Sequence, residues 1–242
     1  MRIKLIISYD GTRYGGWQLQ KNAPSIQGEL ENVLKTLTGK RIVVQSAGRT
    51  DAGVHALGQT AHFDYSGSIP PQKLPFVFNS MLPKDIRVTG AWEVSDDFHA
   101  RYNAKGKRYI YTIYNSPHSS ALLYNRTMHV PQALEFQKMR AAAQYIIGTH
   151  DFKAFCAAGS YVKSTVRTVS RLEIAEELPL IRIIIEGNGF LYNMARAMVG
   201  TCVYASEGKL SPDDIPGLLE GRNRTDAGPT APPQGLYMTN LW

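Results

Sequence analysis

The sequence predicts an α+β protein made of two ferredoxin-like units in tandem, each with the order β-α-β-β-α-β and a largely antiparallel sheet. Strand-like alternation and helical spacing of apolar residues follow one another in that order over residues 1–103, and the same order returns over 104–242. Basic charge is shared, with 12 basic and 9 acidic residues in the first half and 15 and 11 in the second. We therefore expect two domains, 1–103 and 104–242, joined around a central basic cleft.

The first half supplies its elements in order. Apolar alternation over residues 3–9 predicts a half-buried strand, which the turn residues Asp10 and Gly11 end. Ser25 has the character of an N-cap for a helix whose apolar residues recur on one face, and Gly39 stops it. The remaining predicted elements are strands over 41–46, 55–65 and 86–94 and a helix over 72–81.

The second half repeats this order, and a basic stretch at residues 102–106 and its flanks marks the junction between the halves. An additional helix is predicted over 213–219. The other predicted elements are strands over 107–114, 167–174, 180–186 and 236–241 and helices over 132–147 and 192–206.

The composition favours a nucleic-acid partner. The chain has 242 residues, 43% of them hydrophobic, and its 27 Lys and Arg residues exceed its 20 Asp and Glu residues, which gives a formal charge of +7. Such a surface attracts a polyanion, although many mildly basic proteins bind no nucleic acid. A ferredoxin-like sheet also leaves one face uncovered, and a bare face with aromatic and basic groups suits RNA bases and phosphates.

The compartment is expected to be the cytoplasm. Cys156 and Cys202 are the only cysteines, too few for a zinc cluster, and both are interpreted as structural reduced thiols. The N-terminus runs directly into strand-like alternation without the apolar core of a signal peptide. No apolar stretch reaches the ~18 residues that a membrane span requires.

Asp51 is the first candidate for chemistry. It lies in the stretch SAGRTDAGVHA (46–56), between two predicted strands, where Gly48 and Gly53 permit backbone conformations that bulkier residues prohibit. Polar residues in loops held by rigid strands often form functional sites. The alternative is an Asx-turn, in which Asp51 only satisfies backbone amides.

Two further stretches contain candidate residues. In KRYIYTIY (107–114), Tyr109 and Tyr111 share one face of a strand, so that two rings could lie side by side on the open sheet. Tyrosine is also an ordinary residue at half-buried strand positions, and the pattern alone favours that interpretation. In GNGFLYNMARAMVG (187–200), Arg196 interrupts an apolar helix. It needs a partner from elsewhere in the fold if it is buried, or its side chain extends to solvent.

Other chemistries have weaker support. His62 and Asp64 lie two residues apart on a strand, but two potential ligands do not make a metal site, and a structural role is the expected one. The sequence has no phosphate-binding P-loop, no dinucleotide fingerprint and no nucleophile elbow. No cofactor is therefore suggested.

These three stretches resemble the tRNA pseudouridine synthase A family. So do four others, and together they span nearly the whole chain in the family's order: YDGTRYGGWQLQ (9–20), FHAR (98–101), GTHDF (148–152) and TAPPQGL (230–236). The element GRTDAGVHA (48–56) is highly specific for the family. The resemblance implies an enzyme that isomerises uridine to pseudouridine at positions 38, 39 and 40 of the tRNA anticodon stem-loop, as a homodimer, without a cofactor or an obligatory metal.

The resemblance also implies roles for individual residues. Asp51 matches the essential aspartate, Tyr109 the tyrosine that contacts the target base, and Arg196 the arginine that pairs with the aspartate. Arg49 matches an arginine that displaces or holds the flipped nucleotide. We further expect three residues of the basic junction to contact RNA, namely Arg101, Lys107 and Arg108.

The chemistry accounts for these residue types. Isomerisation breaks the N1–C1′ bond and joins C5 to C1′, and an ionised carboxylate suffices as nucleophile or as charge stabiliser. A nearby Arg196 would lower the pKa of Asp51 by about one to three units. For Tyr109 we rank stacking on the extruded base above general base catalysis, because a tyrosine with an ordinary pKa near 10 is protonated at pH 7.

Two other functions are compatible with parts of this pattern. A non-catalytic RNA-binding module explains the charge, the tandem sheets and the tyrosines, but not Asp51 beside arginines. A metal-dependent hydrolase would use Asp51, His55, His62 and Asp64.

Overall fold

The computed structural model of the chain describes residues 1–159, 162–220 and 223–241. Ten strands and five α-helices lie within these ranges. The strands are β1 (Arg2–Tyr9), β2 (Gln45–Ser46), β3 (His55–Asp64), β4 (Ile86–Val94), β5 (Lys107–Asn115), β6 (Met128–Val130), β7 (Gly148–Asp151), β8 (Val166–Glu177), β9 (Leu180–Gly187) and β10 (Leu236–Leu241). The helices are α1 (Ile26–Thr38), α2 (Leu74–Met81), α3 (Phe136–Ile146), α4 (Met194–Ser206) and α5 (Ile215–Leu219).

The first compact unit comprises Met1–Lys105 and the residues from Tyr237 onward. Its strands follow the order β4-β1-β3-β10, with β2 paired to β3. The β1–β3, β1–β4 and β2–β3 pairs are antiparallel, and β10 lies parallel to β3. With β2 beside β3, the first four strands have the 4-1-3-2 order of a ferredoxin-like unit.

Helix α1 shows how the sequence specifies this unit. Ser25 Oγ accepts a hydrogen bond from the N–H of Gly28 (3.1 Å) at its start. Gly39 ends it in the left-handed region at φ 71°. One face of the helix is buried, as the apolar spacing predicted, and includes Ile26, Leu30, Val33 and Leu34.

The second compact unit comprises Gly106–Leu236. Its strands follow the order β5-β9-β8-β7, with consecutive neighbours antiparallel and β6 parallel to β5. Helix α3 packs against β8 and α4, and α4 contacts β5. Strand β10 comes last in the chain but groups with the first unit from Tyr237 onward.

Helix α3 begins later than the predicted range of 132–147. The Asn115 side-chain amide donates to the carbonyl oxygens of Val130 (2.8 Å) and Gln132 (2.7 Å), and so holds this backbone out of a helix. The predicted strand at 41–46 is likewise reduced to β2. There the Glu31 carboxylate accepts the N–H of Val44 (3.2 Å), a bond that would otherwise be available to a strand ladder.

The predicted mixed α+β class with mostly antiparallel strand pairing is confirmed. The division into domains 1–103 and 104–242 and the central basic cleft stay predictions. Within the described ranges, none of the helices has the length and apolar character needed to cross a bilayer.

Candidate active site

The loop between β2 and β3 carries Arg49 and Asp51. Arg49 is exposed, Thr50 is buried and Asp51 is half-buried. A turn follows, closed by a hydrogen bond from the N–H of Val54 to the backbone carbonyl of Asp51 (3.2 Å). That bond uses main-chain atoms only and so does not itself depend on the side chain at position 51.

Hydrogen bonds to Thr50 hold this loop against the rest of the first unit. Its carbonyl accepts the N–H of Trp17 (3.0 Å), and its Oγ1 is hydrogen-bonded to the hydroxyl of Tyr9 (2.8 Å). On the other side of Arg49, the Gly48 carbonyl accepts a hydrogen bond from the Gln59 side chain (2.6 Å). The residue before Asp51 is therefore fixed in both its backbone and its side chain.

Two glycines explain why the stretch 9–20 accompanies the Asp51 loop in the sequence. A Cβ on Gly11 would lie 2.0 Å from the Val54 carbonyl oxygen, and one on Gly16 would lie 2.4 Å from that of Thr50. Gly16 also has φ +98°, which L side chains rarely adopt. These glycines let the 9–20 segment contact both ends of the Asp51 turn directly.

His55 has a structural role at the end of this loop. It is 1% exposed, and its Nδ1 accepts a hydrogen bond from the N–H of Gly11 (3.1 Å). Its ring stacks on Tyr237 of β10 with 4.7 Å between centroids. The imidazole thus ties β3 to the 9–20 segment and to β10 within the first unit.

The remaining potential metal ligands are also engaged. His62 is buried and its Nδ1 accepts the N–H of Ala100 (3.2 Å), while Asp64 pairs with Arg2 (2.8 Å). Burial lowers the pKa of His62, and neighbouring His99 lowers it further. Across residues 1–159, 162–220 and 223–241, no group of three or more His, Cys, Asp or Glu side chains is placed to hold a metal ion. These contacts support the structural interpretation of His62 and Asp64.

The Tyr9 contact to the loop predicts a specific loss of stability in alkali. Burial raises the pKa of Tyr9 from 10.0 to about 12, with the hydrogen bonds to Thr50 and Gln59 acting in the opposite sense. Below pH 10 the folded and unfolded chains both keep this proton. Between pH 10 and about 12 only the folded chain does, so the free energy of unfolding should fall by about 1.4 kcal/mol per pH unit from this group.

Urea denaturation of the wild type and of Tyr9→Phe between pH 9 and 12 checks this prediction. Tyr14 and Tyr111 also have raised pKa values, so both proteins lose stability in alkali and the difference between them isolates Tyr9. The variant should lose stability less steeply above pH 10. Equal slopes would show that Tyr9 is not desolvated as described.

Arg196 lies on the first turn of α4 in the second unit and is half-buried. Its Nε donates to the carbonyl of Ala231 (2.7 Å), and its Nη1 donates to Oδ1 of Asn193 (2.7 Å). Asn193 occupies the N-cap position at φ 60°, and its side chain makes no capping bond to the helix. The guanidinium is therefore aimed by two neutral acceptors of its own unit.

The Ala231 carbonyl reaches Arg196 because its segment lies directly on α4. A Cβ on Gly200 would lie 1.7 Å from the carbonyl oxygen of Pro229. The N–H of Gly228 donates to Oγ1 of Thr201 (3.0 Å), and the N–H of Ala231 donates to the Arg196 carbonyl (3.1 Å). Through Ala231, the TAPPQGL stretch (230–236) therefore has a structural role in holding Arg196.

Tyr109 and Tyr111 share a face of β5 as expected, but that face is not open. Tyr111 is 0% exposed and donates its hydroxyl proton to the Pro232 carbonyl (2.8 Å). Its burial raises the pKa of that hydroxyl. Tyr109 keeps 7% exposure and meets Phe190 edge-on, with 5.2 Å between ring centroids. Tyr111 is therefore a buried strand residue, in line with the interpretation that was favoured from its pattern, and it is not a ring on an uncovered sheet face.

Arg108 lies on the opposite, half-exposed face of β5. Its guanidinium pairs with Glu186 across the strand (2.6 Å), and the same carboxylate is 3.4 Å from Arg171 of β8. Glu186 thus offsets two arginines. A role for Arg108 in RNA binding stays a prediction, and an RNA phosphate would have to share this guanidinium with Glu186.

The two other basic residues expected to contact RNA differ in exposure. Arg101 is exposed in the first unit, with its guanidinium 6.0 Å from the centroid of the Tyr102 ring. Lys107 opens β5 opposite Gly187 and is half-buried. Their contacts with RNA also stay predictions.

The structure thus places Arg49 and Asp51 on one loop of the first unit, and Tyr109 and Arg196 in the second unit. Sequence reasoning did not identify the side chains and carbonyls that hold them. Several of the residues that hold the Asp51 loop and Arg196 lie in stretches that carried the family resemblance, namely Tyr9, Trp17, Thr50, Asn193 and Ala231.

Comparisons with known proteins agree with this arrangement of motifs. A family model described as tRNA pseudouridine synthase matches residues 5–103 and 142–241. The chain is 49% identical over 240 residues to the tRNA pseudouridine synthase A of Acetivibrio thermocellus, covering 99% of this chain and 98% of the relative. It is 48% identical over 242 residues to that of Ruminiclostridium cellulolyticum, covering 100% and 99%. It is also 48% identical over 239 residues to that of a Thermoanaerobacter species, covering 99% and 98%.

Proposed function

Because the chain belongs to the tRNA pseudouridine synthase family, we propose that it isomerises uridine to pseudouridine at positions 38, 39 and 40 of the tRNA anticodon stem-loop. The recognition of this family from the sequence is confirmed, and with it the class of isomerases that act on tRNA. The observation that carries the proposal is the GRTDAGVHA stretch, which presents a half-buried Asp51 on a loop fixed at Thr50. We further propose that the protein acts as a homodimer, as the family resemblance implies, and in the cytoplasm, as expected from the sequence.

The proposed reaction needs a carboxylate held in a defined position. The N1–C1′ bond breaks, the uracil turns, and C5 joins C1′, so that the proton lost from C5 is balanced by the proton gained at N1. An ionised Asp51 serves as nucleophile or stabilises the cationic sugar. The two hydrogen bonds that fix Thr50, from Trp17 and Tyr9, remove conformational freedom from the neighbouring carboxylate before the substrate arrives.

Arg196, Tyr109 and Arg49 are proposed to assist on the basis of the family's pattern. A guanidinium that pairs with Asp51 favours its ionised form, and the contacts to Asn193 and Ala231 keep Arg196 oriented for such a role. Arg49 is exposed and therefore able to meet the extruded nucleotide. Its proposed function is to displace or hold that nucleotide.

The experiment that tests the function is position-resolved pseudouridine mapping of an unmodified tRNA transcript after incubation with the purified protein. Pseudouridine is expected at each uridine among positions 38, 39 and 40, and a transcript with cytidine at those positions should remain unmodified. Tight tRNA binding without any pseudouridine would instead favour the non-catalytic RNA-binding module. Pseudouridine found only at other positions would still agree with a tRNA pseudouridine synthase, but it would contradict the proposed specificity for positions 38, 39 and 40.

Tyr109 offers a test of the aromatic contact. Tyr109→Phe keeps the ring that meets Phe190 edge-on, so kcat/KM should stay within about tenfold of the wild type if stacking is the role of Tyr109. Tyr109→Leu removes the ring, and base–aromatic stacking is worth about 1–3 kcal/mol, which corresponds to a loss of about five- to 150-fold. Steady-state kinetics on the transcript compares the two, with Tyr124→Leu at a 75% exposed tyrosine as control. If Phe is as inactive as Leu, the hydroxyl group is required.

A further inference from the structure

A cavity of about 500 Å³ lies in the second unit, and none of the residues assigned to the reaction is among its described lining residues. It is formed by the segment from Lys153 to Thr165, within its described residues, together with Asn223 and Arg224. Its size falls within the range of small-ligand pockets and exceeds what one inorganic phosphate requires. A sugar or base can therefore enter beside a phosphate.

The lining of this cavity is cationic. Lys153, Lys163 and Arg224 contribute positive side chains, and no Asp or Glu is among the described lining residues. Two nearby acids, which are not among the described lining residues, accept backbone N–H groups of that lining: Asp151 accepts the N–H of Lys153 (3.0 Å) and Asp226 that of Asn223 (3.1 Å). The cavity therefore favours an anion.

Arg224 supplies an independent indication of an anionic ligand. It is half-buried, and its guanidinium donates to the Gly228 carbonyl (2.7 Å) and to Oγ1 of Thr230 (2.9 Å). Both acceptors are neutral, and no carboxylate of the described part of the chain forms an ion pair with it. Burying a cation without a counter-charge is unfavourable, and an entering anion would remove that cost.

We propose that this cavity binds a phosphodiester of the RNA substrate, with Lys153, Lys163 and Arg224 around the phosphate and the adjoining nucleoside in the remaining volume. RNA is the favoured source because the cations lie on two separate segments of an open cavity, as in sites that follow a nucleic-acid backbone. Only the identity of the polyanion rests on the proposed function. The site itself rests on geometry and charge.

Cys156 makes this proposal testable on the native protein. It lines the cavity and is half-exposed, whereas Cys202 is fully buried and its burial raises its pKa to about 12. Iodoacetamide should therefore alkylate Cys156 alone. Saturating tRNA should slow this alkylation about tenfold or more, as followed by mass spectrometry.

Variants of the two lysines test whether RNA binding in the cavity causes the protection of Cys156. Lys153→Gln with Lys163→Gln should weaken tRNA binding about tenfold and lower the salt slope of log Kd by about one, because one phosphate contact is lost. The double variant, measured at saturating tRNA, should also lose the protection of Cys156. Lys138→Gln with Lys209→Gln removes the same charge from lysines paired with Glu135 and Glu207 and should keep both properties. Arg224 is left unchanged because its bonds support the segment that holds Arg196.

Three outcomes would overturn the proposal. The first is unchanged alkylation of wild-type Cys156 at saturating tRNA. The second is equal weakening of tRNA binding by both double variants, which would indicate general electrostatic attraction. The third is full protection by inorganic phosphate alone, which would identify a free oxyanion as the ligand. Binding and protection are measured without turnover, so a protein that protects Cys156 but forms no pseudouridine would contradict only the proposed function.

Discussion

Replacement of Asp51 by Asn is expected to lower pseudouridine formation by more than about 10³-fold, while the Kd for tRNA stays within about twofold. Asparagine has nearly the same shape, and the turn that follows is closed by the backbone carbonyl of residue 51. The contacts of Thr50 with Tyr9 and Trp17 do not involve the carboxylate. The substitution therefore removes the nucleophilic or stabilising charge and keeps the backbone bond of residue 51 and the contacts of Thr50.

Single-turnover assays on the transcript, together with equilibrium tRNA binding, measure the two effects separately. Asp97→Asn is a matched control, because it makes the same charge change at an exposed aspartate of the same unit. If Asp51→Asn retained activity within tenfold of the wild type, the carboxylate would not take part in the chemistry. If Asp51→Asn kept full activity while Asp51→Ala lost folding, the Asx-turn interpretation of Asp51 would be favoured, because asparagine keeps the side-chain oxygen that accepts backbone N–H groups.

The Asp51 loop shows how far local pattern can predict a site. Its position between two strands and its need for glycine were predictable, since both depend on neighbouring residues. The hydrogen bonds that hold Thr50 were not predictable, because Tyr9 and Trp17 lie more than 30 residues away in sequence. Only a family resemblance linked the 9–20 stretch to this loop, and the structure supplies its physical reason in the close approaches of Gly11 and Gly16.

Periodicity had a similar limit in β5. A period of two places Tyr109 and Tyr111 on one face, but it does not say which face of the sheet is covered. The Tyr111 hydroxyl finds its acceptor at Pro232, more than 100 residues later in the chain. The start of α3 was misplaced for the same kind of reason, since the amide of Asn115 holds Val130 and Gln132 from another strand.

For Arg196, the need for partners was predictable from the sequence but the partners themselves were not. The sequence showed that a cation within an apolar helix needs partners, and the structure gives it Asn193 and Ala231. Asn193 is the N-cap residue of the same helix and has left-handed backbone angles. The contact with Ala231 forms because the segment around Pro229 packs against α4. That packing requires glycine at position 200.

Gly200→Ala is accordingly expected to be the most damaging single-methyl change in the second unit. The added Cβ would lie 1.7 Å from the Pro229 carbonyl oxygen, so either α4 or the 228–231 segment must move. Overpacking of this kind costs about 1–3 kcal/mol, and a contact with rigid backbone should reach at least the upper end of that range. The movement also breaks the geometry of the Ala231 bond to Arg196, and misplacement by about 1 Å can cost about 10²-fold in rate.

Gly189→Ala provides the matched control, because its Cβ would have no neighbour closer than 3.9 Å and its φ is compatible with alanine. The control should change the free energy of unfolding by less than about 0.5 kcal/mol. Urea denaturation measures the stability of both variants, and kcat on the tRNA transcript is compared at a temperature where circular dichroism shows both to be folded. A folded Gly200→Ala protein with lowered stability and wild-type kcat would show that the Ala231 contact does not position Arg196 for the reaction. Wild-type stability would show that the helix and the segment do not approach each other as closely as described.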